Sequence, residues 1–329
     1  MKRIPQLDGV RAVAILAVFI HHALQVPLLW SGVDLFFILS GFLITRVLLD
    51  AKHHSLGRYF AHFYSRRARR ILAPYLLTLF VASFFFGVAW MHHWYLYILL
   101  TNFLHPLGIP RPYAFEPLWS LAVEEQFYLL WPFAVYFLSE KNLGRLCVGL
   151  MLLAPALRGL FHFSSHWAVY MLTPFRMDLL AAGGLLCLLW RAKPQWIIRN
   201  SFRLALPLIA SGLILLGLFA HLHITTGSNT RTGNVLIYES TLAVYLGFMI
   251  YALAGRGVGW LCWAPLRFIG KISYTMYLIH LGVILLLVPH FHGPARVAVA
   301  LAITVAYASL SWFLMERRLL HHKPAAVAV

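Results

Sequence analysis

The sequence predicts an all-α integral membrane protein of about ten transmembrane helices, with both termini on the cytoplasmic side. Three observations carry that prediction. Of the 329 residues, 61% are hydrophobic and 11% charged, a balance outside the usual range of water-soluble domains. The apolar residues fall into runs near the ~20 residues that a helix needs to cross the hydrocarbon core of a bilayer. Lys and Arg gather in alternate loops, as cytoplasmic loops require.

Taken in order, the candidate spans cover 10–29, 33–50, 71–91, 117–138, 146–162, 168–190, 204–222, 235–254, 268–288 and 296–315. The stretch 92–116 is different. It carries a short apolar piece from Trp94 to Leu104, flanked by His92 and His93 and by a run containing Pro106, Pro110, Pro112 and Pro117. A re-entrant or interfacial element is expected there, because prolines interrupt a spanning helix. With the N-terminus inside, 22 of the 27 Lys and Arg residues fall on the cytoplasmic side, and Arg111, Arg158, Arg176, Arg231 and Arg296 lie in or next to outer loops. The formal charge of +17 therefore encodes topology and contact with membrane lipids, and no nucleic-acid partner is expected. Cys147, Cys187 and Cys262 lack metal-ligand or redox spacing and are expected as buried packing residues, with no metal site. No repeat or linker divides the chain, so residues 1–329 are expected to form a single membrane domain.

Charged groups within a bilayer are costly and face a cavity or a partner. The chain has ten acids, and five of them, Asp34, Glu124, Glu125, Asp178 and Glu239, fall in spans or at their outer ends. In the first span, LDGVRAVAILAVFIHH, Arg11 and His22 are eleven residues apart. At about 100° and 1.5 Å per residue this returns to within roughly 20° of the same face, about 16 Å along the axis. Asp8 can pair with Arg11 on that stripe. Depth counting brings Glu124, Glu125, Arg176 and Asp178 near the level of His22, so a polar layer around this histidine is expected. A histidine there can act as a general base oriented by a carboxylate, or can be hydrogen-bonded between helices. His280 and the His92–His93 pair are expected to be structural or interfacial. At the entry to the third span, FYSRRARRILAPY pairs Arg67 with Arg70 and Arg66 with Arg69 at a spacing of three. Such guanidinium pairs suit phosphate groups, and the positive-inside rule accounts for the same residues.

Together with GVDLFFILSGFLI, LWSLAVEEQFYLLWP, RMDLLAAGGLL, ISYTMYLIHL and FLMERRL, these segments make the chain resemble the acyltransferase-3 family of membrane-bound O-acyltransferases acting on carbohydrates. The resemblance runs through essentially the whole chain in the family's order. It implies a transfer of an acyl group, expected to be acetyl, from cytoplasmic acyl-CoA to a hydroxyl of a carbohydrate or lipid-linked sugar at the membrane or its outer side. It implies that Arg11 and His22 are central to catalysis, and it matches Glu124 and Glu125 to the family's SLxxEExFY motif. Arg66, Arg67, Arg69 and Arg70 are the candidates for acyl-CoA, with Pro74 one position later than the family pattern, so the equivalent pair is open. Asp8, Asp34, Ser40, Arg176 and Asp178 are substrate or supporting residues. Acyl-CoA, acetyl-CoA in the first place, is the co-substrate, and no permanently bound cofactor is implied. A multi-pass location in a bacterial inner membrane follows from the same resemblance, as does a stand-alone form without the SGNH domain of many relatives. The competing function is a proton-coupled transporter or an accessory subunit of a polysaccharide exporter, since buried His, Asp and Glu also build proton relays.

Overall fold

A computed structural model describes residues 4–161, 165–222 and 229–321, and all regular structure among them is helical. The principal helices are α1 (Gln6–Leu24), α2 (Gly32–Ala51), α3 (Leu56–Phe86), α4 (Leu118–Phe137), α5 (Glu140–Leu160), the short α6 (His166–Met171), α7 (Met177–Ala192), α8 (Pro194–His221), α9 (Arg231–Ala254), α10 (Ala264–Leu287) and α11 (Gly293–Ser311). Local chemistry sets their ends. Ser139 caps α5 by accepting from Asn142 N at 3.2 Å, and Thr230 caps α9 by accepting from Gly233 N at 3.1 Å. Pro194 stands at the first position of α8, where its missing N–H costs nothing, and Gly255 ends α9 with a left-handed φ of 74°.

Among the described residues, each of the ten expected spans overlaps helix. Among the described residues, eight helices are long and apolar enough to cross a membrane; the other two expected spans fall on α4, which carries Glu124 and Glu125, and on α7. The expected span 168–190 is broken, because α6 ends at Met171 and a 3-10 turn over Thr173–Phe175 precedes α7. With 16 residues, α7 is about 24 Å long, short of a full ~30 Å crossing. The segment 92–116 forms only short turns of helix, at Ala89–His93, Leu96–Leu99, Thr101–Phe103 and Tyr113–Phe115. Its Leu96, Tyr97, Leu104 and Phe115 pack with Leu79, Leu118 and Leu278 of the bundle. That arrangement agrees with a re-entrant or interfacial element.

The interior is built on α1 and α2, whose apolar faces meet α4, α7, α9 and α10 in one core that includes Ile15, Phe37, Phe42, Val123, Leu180 and Met276. Helices α3, α5, α8 and α11 flank it, giving Phe63, Cys147, Ile197 and Ala308 to the core on one face and exposing Phe80, Phe84, Leu152, Leu206, Ile214 and Leu310 on the other. Apolar surface on that scale is stable only against lipid. Two motif glycines permit the closest contact: a Cβ on Gly41 would strike the carbonyl of Leu180, and one on Gly183 would strike that of Ile38. Small residues let α2 and α7 touch backbone to backbone. Cys147 and Cys187 are buried as expected, whereas Cys262 is half-buried.

Candidate active site

The Arg11–His22 stripe of α1 connects two cavities of different character. Arg11 lines one of about 330 Å³, at the arginine-rich end of the bundle, together with Ser40, Arg67, Arg70, Glu124 and Glu125. His22 lines another of about 310 Å³ toward the opposite end, with His21, Trp30, His105, Trp167 and Tyr170. Val33 and Tyr277 line both and form the partition between them. The Tyr277 hydroxyl donates to the Pro117 carbonyl at 3.0 Å and lies 2.6 Å from the Ser120 hydroxyl, which fixes the ring in place.

In the arginine-lined cavity, Arg11 donates to Asp8 at 3.2 Å, as the spacing of three on α1 implies. Arg11, Arg67 and Arg70 are near enough to repel one another. The Arg67 guanidinium lies 4.3 Å from the centre of the Tyr128 ring. No salt bridge engages Arg67 or Arg70 among the described residues. Arg66 joins them on the wall, whereas Arg69 does not and donates instead to Ser65 O along its own helix at 3.2 Å. Ser40 donates to Glu124 at 2.5 Å. The result is a cavity with surplus positive charge and a polar inner end, suited to an anionic ligand.

The expected polar layer around His22 is different in composition. Glu124 and Glu125 line the arginine-side cavity and make no hydrogen bond to His22. The reason is helix length: α1 ends at Leu24, so His22 is in its last turn, while Glu124 lies six residues into α4, about 9 Å from its start. The His22 ring is held by Val18 O, 3.0 Å from Nδ1, and by His280 Nε2, 3.2 Å from the same nitrogen. His280 is fully buried and comes from a helix more than 250 positions away, which sequence spacing cannot pair with His22.

Asp34, Arg176 and Asp178 belong to a third group beneath the His22 cavity. Arg176 pairs with Asp34, which also accepts from the Thr241 hydroxyl at 2.6 Å. Arg158 pairs with Asp178 at 2.6 Å and with Glu239. Arg158, Arg176, Asp34 and Asp178 are fully buried. Arg158, expected in or beside an outer loop, is therefore an interior cation. The Arg176 guanidinium lies 4.3 Å from the Tyr238 ring centre and 5.5 Å from that of Tyr170, both on the cavity wall. This ionic group thus supports an aromatic surface. Nearer the mouth, His105 stacks on Trp167 at 4.1 Å between ring centres, and Glu116 accepts from Arg111 Nε at 2.6 Å. Aromatic faces beside hydrogen-bonding groups suit an amphipathic, hydroxylated ligand. In the closing FLMERRL segment, Glu316 accepts from Thr275 at 2.7 Å and Ser311 at 2.9 Å, tying α11 to α10. Among the described residues no group of three His, Cys, Asp or Glu could hold a metal ion.

The structure is thus that of an integral membrane helix bundle with two adjoining cavities, one cationic and one aromatic, linked by an arginine and a histidine on one helix. A family profile described as "Acyltransferase domain" matches residues 4–316, and the chain belongs to this acyltransferase-3 family. It is 29% identical to the putative peptidoglycan O-acetyltransferase YrhL of Bacillus subtilis (strain 168), over 95% of this chain and 54% of the relative. It is 29% identical to the peptidoglycan O-acetyltransferase OatA of Listeria monocytogenes, over 88% of this chain and 50% of that protein. For the O-acetyltransferase OatA of Staphylococcus aureus (strain NCTC 8325 / PS 47) the identity is 27%, over 85% and 50%. The chain thus spans about half the length of these relatives. No solved structure matches it.

Proposed function

We propose that this protein transfers an acetyl group from acetyl-CoA to a hydroxyl of a cell-envelope carbohydrate. The observation that carries the reading is the pair of cavities meeting at Tyr277 and Val33, with Arg11 on one side and His22 on the other. The arginine-lined cavity opens toward the cytoplasm in the orientation that the charge distribution favours. Its Arg67 and Arg70, with Arg66 beside them, hold the phosphates of the CoA, and the pantetheine arm carries the thioester inward toward Ser120 and Tyr277. The carbohydrate enters the opposite cavity against Trp167 and Tyr170. The names of the relatives point to peptidoglycan as the first acceptor to try.

The chemistry balances with the chain's own groups. As the acceptor oxygen attacks the thioester carbonyl, its proton passes to His22 Nε2, and the C–O bond forms as the C–S bond breaks. The imidazolium then returns the proton to the departing CoA thiolate, giving free CoA and the O-acetyl sugar. Tyr277, which lines both cavities, stands beside the place where the two substrates meet. The stranded positive charge of Arg11, balanced in part by Asp8, draws the anionic donor along the stripe.

The test is release of free CoA from acetyl-CoA by the protein in lipid nanodiscs with solubilised peptidoglycan fragments, for wild type and His22→Ala. Fragment-dependent release that His22→Ala abolishes supports the reading. Equal release by both, from well-folded protein, removes His22 as the base. Movement of an unchanged solute without CoA release would replace transfer by transport. An acetyl group found on His22 by mass spectrometry would replace direct attack with a two-step route through an acyl-imidazole.

A further inference from the structure

A buried histidine that lines neither cavity contacts His22. His280 Nδ1 is 2.8 Å from the Tyr277 carbonyl. A carbonyl oxygen can only accept, so Nδ1 carries the hydrogen and the neutral ring presents a lone pair at Nε2. That lone pair faces His22 Nδ1 at 3.2 Å, and the Val18 carbonyl faces the same nitrogen at 3.0 Å. Two acceptors converge on one atom, so His22 Nδ1 carries its hydrogen and shares it between them. With both tautomers reversed, His280 Nε2–H would donate to His22 Nδ1, but both carbonyl contacts would set lone pair against lone pair. His22 is thereby left with a free lone pair at Nε2, the ring nitrogen not engaged by protein.

We propose that His280 is a positioning residue: it holds His22 in the Nδ1–H tautomer and keeps Nε2 available as the base. This rests on the reading of His22 as the group that takes the acceptor's proton. His280 lines neither cavity and is fully buried, so it acts through His22. When Nε2 takes up a proton, the positive charge spreads to Nδ1–H, and the bond to His280 becomes charge-assisted, roughly twice as strong as a neutral one. The gain is realised during the reaction and not in the resting complex, so it raises kcat and leaves KM alone. A neutral orienting group also spares the bundle interior a further buried carboxylate, which would require its own compensation.

Two amides separate this role from packing. In His280→Asn the side-chain amide reaches the Tyr277 carbonyl but falls short of His22; in His280→Gln the carbonyl oxygen extends to the place of Nε2 and accepts from His22. With acetyl-CoA and solubilised peptidoglycan fragments, kcat of His280→Asn is expected to fall about 10- to 100-fold with both KM values within about twofold, and His280→Gln to recover most of the loss. Independently of turnover, 15N NMR of labelled His22 is expected to give the Nδ1–H signature in wild type and His280→Gln, and a mixture in His280→Asn. A wild-type Nε2–H signature overturns the proposal, as does an Asn variant with wild-type kcat or a Gln variant as impaired as Asn. Loss of activity in His22→Ala with none in His280→Asn removes the positioning role alone; full activity in His22→Ala removes the reading beneath it.

Discussion

Replacing Asp34 by alanine tests the ionic group under the His22 cavity. Both members of the Asp34–Arg176 pair are fully buried, and Nε and Nη1 of Arg176 already lack hydrogen-bond partners. Removing the carboxylate leaves the guanidinium without its anion, and breaking a buried pair from one side costs about 3–5 kcal/mol. Two features place the cost near the lower end. The Thr241 hydroxyl keeps its bond to Tyr238 O at 3.0 Å, so it adds no second penalty. Asp178 repels Asp34 in the intact protein, and that repulsion is relieved. The expected loss is therefore about 3 kcal/mol, roughly 150-fold in the folding equilibrium at ~1.4 kcal/mol per tenfold. Unfolding in bicelles titrated with SDS, followed by tryptophan fluorescence, measures it. The double change Asp34→Leu with Arg176→Met removes both charges and is expected to return to within about 1 kcal/mol of wild type. A single variant that loses less than ~1 kcal/mol, or a double variant as unstable as the single, would refute the argument.

Other outcomes follow from the same geometry. Arg67→Ala and Arg70→Ala are each expected to raise KM for acetyl-CoA about 10- to 150-fold, the equivalent of ~1.5–3 kcal/mol for a hydrogen bond to a charged group, with a smaller effect for Arg69→Ala; steady-state kinetics in nanodiscs decides. Gly183→Ala drives a Cβ into the Ile38 carbonyl and is expected to cost at least ~1–3 kcal/mol, read as loss of monodisperse protein on size exclusion. At the mouth of the aromatic cavity, burial and then the neighbouring His105 hold the His166 imidazole below its ordinary 6.5. Below that value the unfolded chain binds the extra proton first, so stability falls as pH drops from 6.5 toward the depressed value. His166→Gln is expected to flatten this part of the melting-temperature profile; an unchanged slope would assign it elsewhere.

The helices and the motif residues were legible because lipid imposes a simple rule, long apolar runs with cationic ends, and because Arg11 and His22 share one helix whose pitch fixes their relation. Relations between helices were not. Depth counting assumes spans that begin and end at the same level. The true end of α1 at Leu24, five residues before the end expected for the first span, puts His22 in the last turn, whereas α4 starts at Leu118, as expected, and carries Glu124 about 9 Å inward. The break between α6 and α7 hid within an apolar run, with Pro174 as its one local signal. Arg158 read as a loop charge because the acids that neutralise it, Asp178 and Glu239, stand 20 and 81 positions away. The His22–His280 contact had no signal in spacing at all.

The partition at Tyr277 and Val33 has a consequence for the cell's energy supply. A bilayer that holds a voltage stores about 2.3 kcal/mol per elementary charge for each 100 mV. A water-filled passage from one face to the other would let protons run down that gradient at every copy of the protein. An aromatic ring and a valine stand between the two cavities, so the proposed access from both faces would leave the insulating layer continuous. Under that proposal the protein would be tolerated in an energised membrane without short-circuiting it.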